Sequence, residues 1–423
     1  MHVRRVLPLV TLALVPLLMV AGCVQPAQPA AGPPPSTAPP VPQGGIDPAT
    51  AFTPVAATTL TTPAPVTGTD GKVHLAYELL LSNASSAGFR LDRVDVLDAA
   101  GQQVLLSLAG PQLAAASNLI GGTVGDEGTS DPTGSATVVP GSTTAVVWLD
   151  VTVTGTPPAA LTHRVAGAIL DPAGVARVTL ESAVGQVRTG TATAPLLGPP
   201  VLGGPWYASD GCCVDDTHHR RGIAPVNGQL LVPQRYAIDW YLLDEQHRTV
   251  VGDRTTLAGY LTYDVPAVAS ADGVVVDATD GLPETTTIPE PPPLPPISQT
   301  VGNHVTLMIA PGVYLLYAHF KTGSVAVKTG QVVKRGDVLG RIGSSGNSTT
   351  PHLHFQVMTE PTFFPTDSTP FAFDCFTLDG QVTERIWDDI LGLQPTDVLP
   401  YVPADGTVRK GQMPLDRNVV TFC

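Results

Sequence analysis

Near the end of the chain, Gly346-Asn347-Ser348-Thr349-Thr350-Pro351-His352-Leu353-His354-Phe355-Gln356-Val357 reads as a turn running into a strand that carries two histidines. The period-2 geometry of a strand puts His352 and His354 on one face and Leu353 and Phe355 on the other, with the two imidazoles roughly 6 to 7 Å apart at the backbone. Neutral imidazole is the commonest protein ligand of transition metals and titrates near neutrality, so such a pair can hold a metal, move a proton, or do one of each. A bare H-x-H is also compatible with a solvated strand, and the surrounding residues decide between these readings.

Three further runs precede the pair in order. Tyr314-Leu315-Leu316-Tyr317-Ala318-His319 ends a strand in a third histidine, and Gly330-Gln331-Val332-Val333-Lys334-Arg335-Gly336-Asp337-Val338-Leu339-Gly340 leads into Ile342-Gly343-Ser344-Ser345-Gly346. Val265 to Val276 stands ahead of them. Together, "YAH", "GQVVKRGDVLGRIGSSGNS" and "PHLHFQV" resemble the LytM-type zinc metallopeptidases of family M23, the lysostaphin-like enzymes that cut peptide bonds in peptidoglycan. The resemblance covers roughly residues 230 to 360. It implies an antiparallel β domain, Zn²⁺ as cofactor, peptidoglycan peptides as substrate, His354 as a zinc ligand, and His319 and His352 as catalytic residues. Zinc lowers the pKa of a bound water to about 7, and imidazole titrates where a general base must.

The family's remaining ligands come from an H-x-x-x-D element. The matching stretch, Gln234-Arg235-Tyr236-Ala237-Ile238-Asp239-Trp240, keeps the carboxylate as Asp239 but has Arg235 in place of the histidine. A guanidinium is protonated at any relevant pH and cannot ligate zinc. Two readings follow. In one, His218 or His219, about sixteen residues upstream of Arg235, completes the site. In the other, Arg235 pairs with Asp239, and the domain is a metal-free wall-binding or amidase-regulating module with a cell-wall protein as partner. A surface adhesin, with the N-terminal region as the working part, is a third reading.

The elements that must position these residues are strands. In the C-terminal region they are expected at Gln234 to Leu243, Gly273 to Ala278, His304 to Ala310, Val313 to His319, Val338 to Ile342 and His354 to Met358. A Pro-rich insertion, Asp280 to Thr300, interrupts them as a loop. Upstream, alternating runs such as Val73 to Leu81, Leu91 to Leu97 and Thr144 to Val153 predict an immunoglobulin-like β-sandwich over residues 71–190. His74 and His163 fall in these runs and read as structural. The fold class is therefore all-β, with the LytM-type domain assigned to residues 200–423.

The first 23 residues form a targeting segment. Arg4 and Arg5 precede an apolar run from Val6 to Val20, which has the length of a signal-peptide core. Val20-Ala21-Gly22-Cys23 resembles a bacterial lipobox, with Cys23 the residue to be lipidated, so the chain is expected to be exported and anchored on the outer face of the membrane. Residues 24–70, rich in Pro, Ala and Thr, cannot bury a core and read as a spacer. Charged residues make up only 14% of 423, the net charge is −14, and no basic stripe exists, so nucleic acid is excluded as a partner. Cys212, Cys213, Cys375 and Cys423 suggest disulfides in an exported protein. A bridge between adjacent cysteines is strained, so Cys212 and Cys213 are each expected to reach one of the distant pair.

Overall fold

The strand Val73–Asn83 is mostly apolar, and residues on both of its faces are buried. Leu75, Tyr77, Leu79 and Leu81 enter one core, while Ala76 and Glu78 on the opposite face are equally buried against a second. That second face also carries His74, and the polar side chains of both His74 and Glu78 have partners within the protein. The computed structural model of the chain describes residues 53–101, 103–120, 137–213, 217–285, 295–383 and 398–423. The targeting segment, Cys23, most of the spacer and the centre of the Pro-rich insertion lie outside these residues. Among the described residues, no helix is long and apolar enough to cross a membrane.

Two antiparallel sheets form a sandwich. One aligns Ala56–Thr59, Val73–Asn83, Thr143–Val153 and Ser117–Leu119, and the other aligns Ala176–Arg188, Ala160–Leu170, Phe89–Asp98 and Val104–Ala109. Leu149 and Val151 of the first meet Leu91, Val94, Leu161 and Val165 of the second in a common core. His163 is inside it, paired with the Tyr77 hydroxyl at 2.8 Å.

The C-terminal region is built on one large antiparallel sheet. Its spatial order runs Val332–Val333, Gly273–Thr279, Asn303–Ala310, Val313–Phe320, Leu353–Met358, Ile238–Leu242, Trp206–Ser209, Asn418–Phe422, Phe376–Val382 and Tyr401–Pro403. The expected strands are present with ends shifted by a few residues, most at Ile238–Leu242, where Gln234 to Ala237 form a turn instead. Phe355, Phe371, Phe373, Trp240 and Phe422 stack edge to face in the core beneath the sheet. The outer face of the first sandwich sheet docks here. Ala76 joins the main core of this region, and Val146 and Trp148 pack on Val232.

The cysteine pairing departs from expectation. Phe376 and Phe422 face each other across antiparallel strands, so Cys375 and Cys423, one residue beyond them, are brought to a Cα separation of 5.6 Å and bonded. Cys212 and Cys213 are then left with each other and form a vicinal disulfide across a cis peptide. Replacing Cys375 and Cys423 together with Ser is expected to cost about 4 kcal/mol on the loop-closure relation, given their 48-residue separation. Guanidinium unfolding read by tryptophan fluorescence checks this, and an unchanged midpoint would contradict it.

Candidate active site

Register assembles the site. Asp239 on Ile238–Leu242 lies directly opposite His354 on Leu353–Met358, and His354 in turn lies opposite Ala318 on Val313–Phe320. His319 follows Ala318 with φ at +63°, a left-handed conformation uncommon for a residue with a side chain. His352 sits just before its strand rather than in it, and its ring is 4.8 Å from that of His319. The family of three histidines and one carboxylate named from the sequence is thus one cluster.

The protonation of each ring follows from its outer partner. His319 Nδ1 is 2.8 Å from the Ser345 carbonyl, and His352 Nδ1 is 2.8 Å from the Thr350 carbonyl, so both nitrogens must be N–H donors. His354 Nε2 is 2.8 Å from Gln356 Oε1. That amide is oriented by its own NH₂ group, which donates to the Pro233 carbonyl, so His354 Nε2 is also the donor. In the neutral ring the basic Nδ1 of His354 then faces Asp239 Oδ1 at 2.9 Å, and the basic Nε2 of His352 faces Asp239 Oδ2 at 3.4 Å. Lone pairs aimed at a carboxylate repel unless a cation sits between them.

A fourth imidazole completes this arrangement. The short helix His218–Arg221 buries His219, whose Nδ1 donates to the Asp210 carbonyl at 3.0 Å. Its Nε2 is buried without a hydrogen-bond partner, 3.5 Å from Asp239 Oδ2. Two ligand atoms of a tetrahedral zinc, each about 2.0–2.1 Å from the ion, stand roughly 3.4 Å apart. His219, Asp239 and His354 therefore offer donor types that suit Zn²⁺, with a basic nitrogen of each imidazole within 3.5 Å of an Asp239 oxygen and each outer nitrogen held by a carbonyl or amide as ligand histidines require. His218 is close enough to join a ligand group with His219 and Asp239, but its Nδ1 engages Asp210 Oδ1 at 3.2 Å and its ring is half exposed.

Arg235 does not pair with Asp239. Its guanidinium turns the other way and is bound by Glu78, at 3.0 Å from Nε and 2.7 Å from Nη2, and by Asp367 at 2.5 Å. The side chain that would have neutralised Asp239 in a metal-free domain is thus committed elsewhere. Glu78, Gln356 and the carbonyls of Ser345 and Thr350 went unassigned in the sequence. Of these only Gln356 carried a signal, lying two residues beyond His354 on the same strand face.

A second group of possible ligands, His74, Asp150 and Cys213, lies where the sandwich meets the C-terminal region. His74 is held between Asp150 at 2.9 Å and Asp70 at 3.1 Å, and the sulfur of Cys213 is bonded to Cys212, so no thiolate is offered.

Burial would raise the Asp239 carboxyl, but the imidazoles of His352, His219 and His354 hold it well below the usual range. Burial pushes His219 down to about 3, opposed by Asp239 and reinforced by His218 and His354. Burial also lowers His352, with Asp239 pulling back, and holds His319 well below its ordinary value with help from His352 and His354.

Residues 260–364 match the family model described as Peptidase family M23. This span contains His319, His352 and His354 and stops short of Asp239. Cell division protein DipM of Caulobacter vibrioides is 34% identical over 97 residues, which is 23% of this chain and 13% of that protein. Glycyl-glycine endopeptidase ALE-1 of Staphylococcus capitis is 39% identical over 72 residues, 17% of this chain and 20% of that protein. The chain thus spans a fifth or less of these curated relatives. Among solved structures, the catalytic domain of the antimicrobial peptidase lysostaphin from Staphylococcus simulans aligns at 23% identity over 34% of this chain and 80% of that one, with a TM-score of 0.22. The C-terminal part of the chain contains an M23 domain of the LytM type.

Without metal, the unfolded chain protonates His219 below about pH 6.5, whereas the folded chain does so only at about 3. The unfolded state therefore binds more protons in that window, and stability should fall with falling pH by about 1.4 kcal/mol per unit from this residue. Melting curves in chelator between pH 7 and 4 should show His219→Gln flattening the decline. Parallel curves for the two proteins would contradict the assignment.

Proposed function

We propose that the chain is an exported, lipid-anchored zinc metallopeptidase that hydrolyses peptide bonds in bacterial peptidoglycan. The observation that carries this reading is the convergence of the basic nitrogens of His219, His352 and His354 on the buried carboxylate of Asp239. The M23 match and the "YAH" and "PHLHFQV" motifs support the class of reaction. The lipobox ending in Cys23 supports the anchor, and the peptide substrate follows from the family resemblance.

In this scheme His219, Asp239 and His354 hold the metal, with His219 standing in for the histidine absent at Arg235. When bound, Zn²⁺ supplies Lewis acidity that polarises a scissile carbonyl and makes water acidic near neutral pH. His352 accepts a proton at Nε2, because its Nδ1–H is already committed to Thr350. His319, locked by the Ser345 carbonyl, presents a second basic Nε2 beside His352, so that either ring can take the attacking water's proton and, once protonated, donate to the developing oxyanion or pass the proton to the leaving amine. Burial keeps both rings neutral, which is the state a base requires.

A metal-free wall-binding module is the competing reading. It is favoured by Arg235 in place of the usual ligand histidine and by the contact of His354 Nδ1 with Asp239 Oδ1, whose 2.9 Å is a hydrogen-bond distance.

Zinc content of a fragment from residue 53 onward separates the two. One equivalent is expected, and His354→Ala and His219→Ala should each weaken binding by more than about 100-fold, beyond the loss typical of outer-shell partners. No uptake by the unmodified fragment at any zinc concentration would overturn the enzyme. Digestion of purified sacculi should fall by about 10² to 10⁴ in His352→Ala, the range of general-base catalysis, with zinc retained. Full digestion by that variant would remove the proton role assigned to His352.

A further inference from the structure

The helix that presents His219 has only four residues, too short to hold itself together. Its fastening lies in the sandwich. Arg220, next to His219, is buried and binds Glu78 Oε1 through Nη1, while its Nη2 donates to the carbonyls of Tyr77 at 2.9 Å and Leu149 at 3.0 Å. All three acceptors belong to the paired strands Val73–Asn83 and Thr143–Val153. The same Glu78 binds Arg235 through Nε and Nη2, and Arg235 reaches on to Asp367.

Glu78 is fully buried, so it is a single carboxylate wedged between two desolvated guanidiniums. Without its charge, Arg220 and Arg235 would repel across a low-dielectric gap, with Asp367 left to neutralise Arg235 alone. Arg220 would have to move, and it is covalently next to His219. Arg235 lies in the turn that leads to Asp239, and the nearby Pro233 carbonyl orients Gln356 against His354. Of the three proposed ligands, His219 is the one whose element Glu78 fastens directly, through Arg220.

We infer that Glu78 is a positioning residue for the metal site, so that the sandwich, through Glu78 and its bridge to Arg220 and Arg235, sets the place of His219. This rests on the ligand set proposed above. The sandwich is accordingly a structural part of the active site as well as a spacer or a recognition module.

The test is a double-mutant cycle on the fragment from residue 53 onward, with zinc affinity read by competition against a chromophoric chelator and folding checked by circular dichroism. Glu78→Gln keeps the side-chain volume and removes the charge. It should weaken zinc binding by about 10- to 100-fold, as loss of an outer-shell partner does. Combined with His219→Ala it should weaken binding no further than His219→Ala alone, because both act through one ligand. The visible spectrum of the Co²⁺-loaded Glu78→Gln protein should match that of Co²⁺-loaded His219→Ala, which general loosening would not produce. Additive losses, or wild-type affinity in Glu78→Gln, would overturn the inference while leaving the zinc site intact. Failure of the unmodified fragment to bind zinc would overturn both. Should Glu78→Gln not fold, Arg220→Lys removes the forked contacts to Tyr77 and Leu149 while keeping the charge. The same loss of affinity is expected there, and unchanged affinity would overturn the inference.

Discussion

The site depends on one buried carboxylate faced by several imidazoles whose outer nitrogens are engaged by carbonyl and amide oxygens. Asp239 is surrounded by His219, His352 and His354, and each of these spends its N–H on a carbonyl or an amide oxygen on the outer side. An ordinary buried carboxylate accepts hydrogen bonds from its neighbours. This one confronts lone pairs, an arrangement that holds together only around a positive charge. The rest of the C-terminal sheet can be understood as the scaffold that fixes those outer acceptors. The Ser345 carbonyl depends on two glycines in left-handed backbone, Gly302 and Gly346, and a Cβ on either would collide with the other segment at about 2.5 Å or less.

Arg235, which stands where the family resemblance implies a histidine, does not reach Asp239. A guanidinium left beside Asp239 would have neutralised it and closed the site. Instead the side chain is drawn in the opposite direction by Glu78 and Asp367, two carboxylates from distant parts of the chain. That leaves space on the Asp239 side, and His219 occupies it from a segment preceding the usual motif. Arg235 and the proposed ligand His219 are therefore connected through Glu78 and Arg220.

The docking of the sandwich follows from the same network. The outer face of its first sheet carries Ala76, Glu78, Val146 and Trp148, all of which are buried against the C-terminal region. Val73 to Leu81 reads as an apolar run interrupted by His74 and Glu78, both on the face turned to the C-terminal region. In one dimension that glutamate has no partner. In three dimensions it is the shared counter-ion of two arginines more than a hundred residues away.

Local chemistry was legible in the sequence wherever the residues lie close together along the chain. The H-x-H spacing, the histidine closing "YAH", the carboxylate of Asp239, the strand character of nearly every element and the all-β class are consequences of period-2 geometry and short motifs, which survive without knowledge of the partner strand. The cysteine pairing was misread because it depends on register, with Phe376 set against Phe422 to bring Cys375 and Cys423 together. The sequence offered His218 and His219 as alternatives but could not choose between them, since both belong to the same short segment and only the helix decides which ring turns inward. The direction taken by Arg235, the identity of the inward imidazole and the part played by Glu78 were decided by tertiary structure alone. The reason is physical: a buried charge goes to whichever counter-charge the fold brings to it, and sequence separation places no limit on that choice.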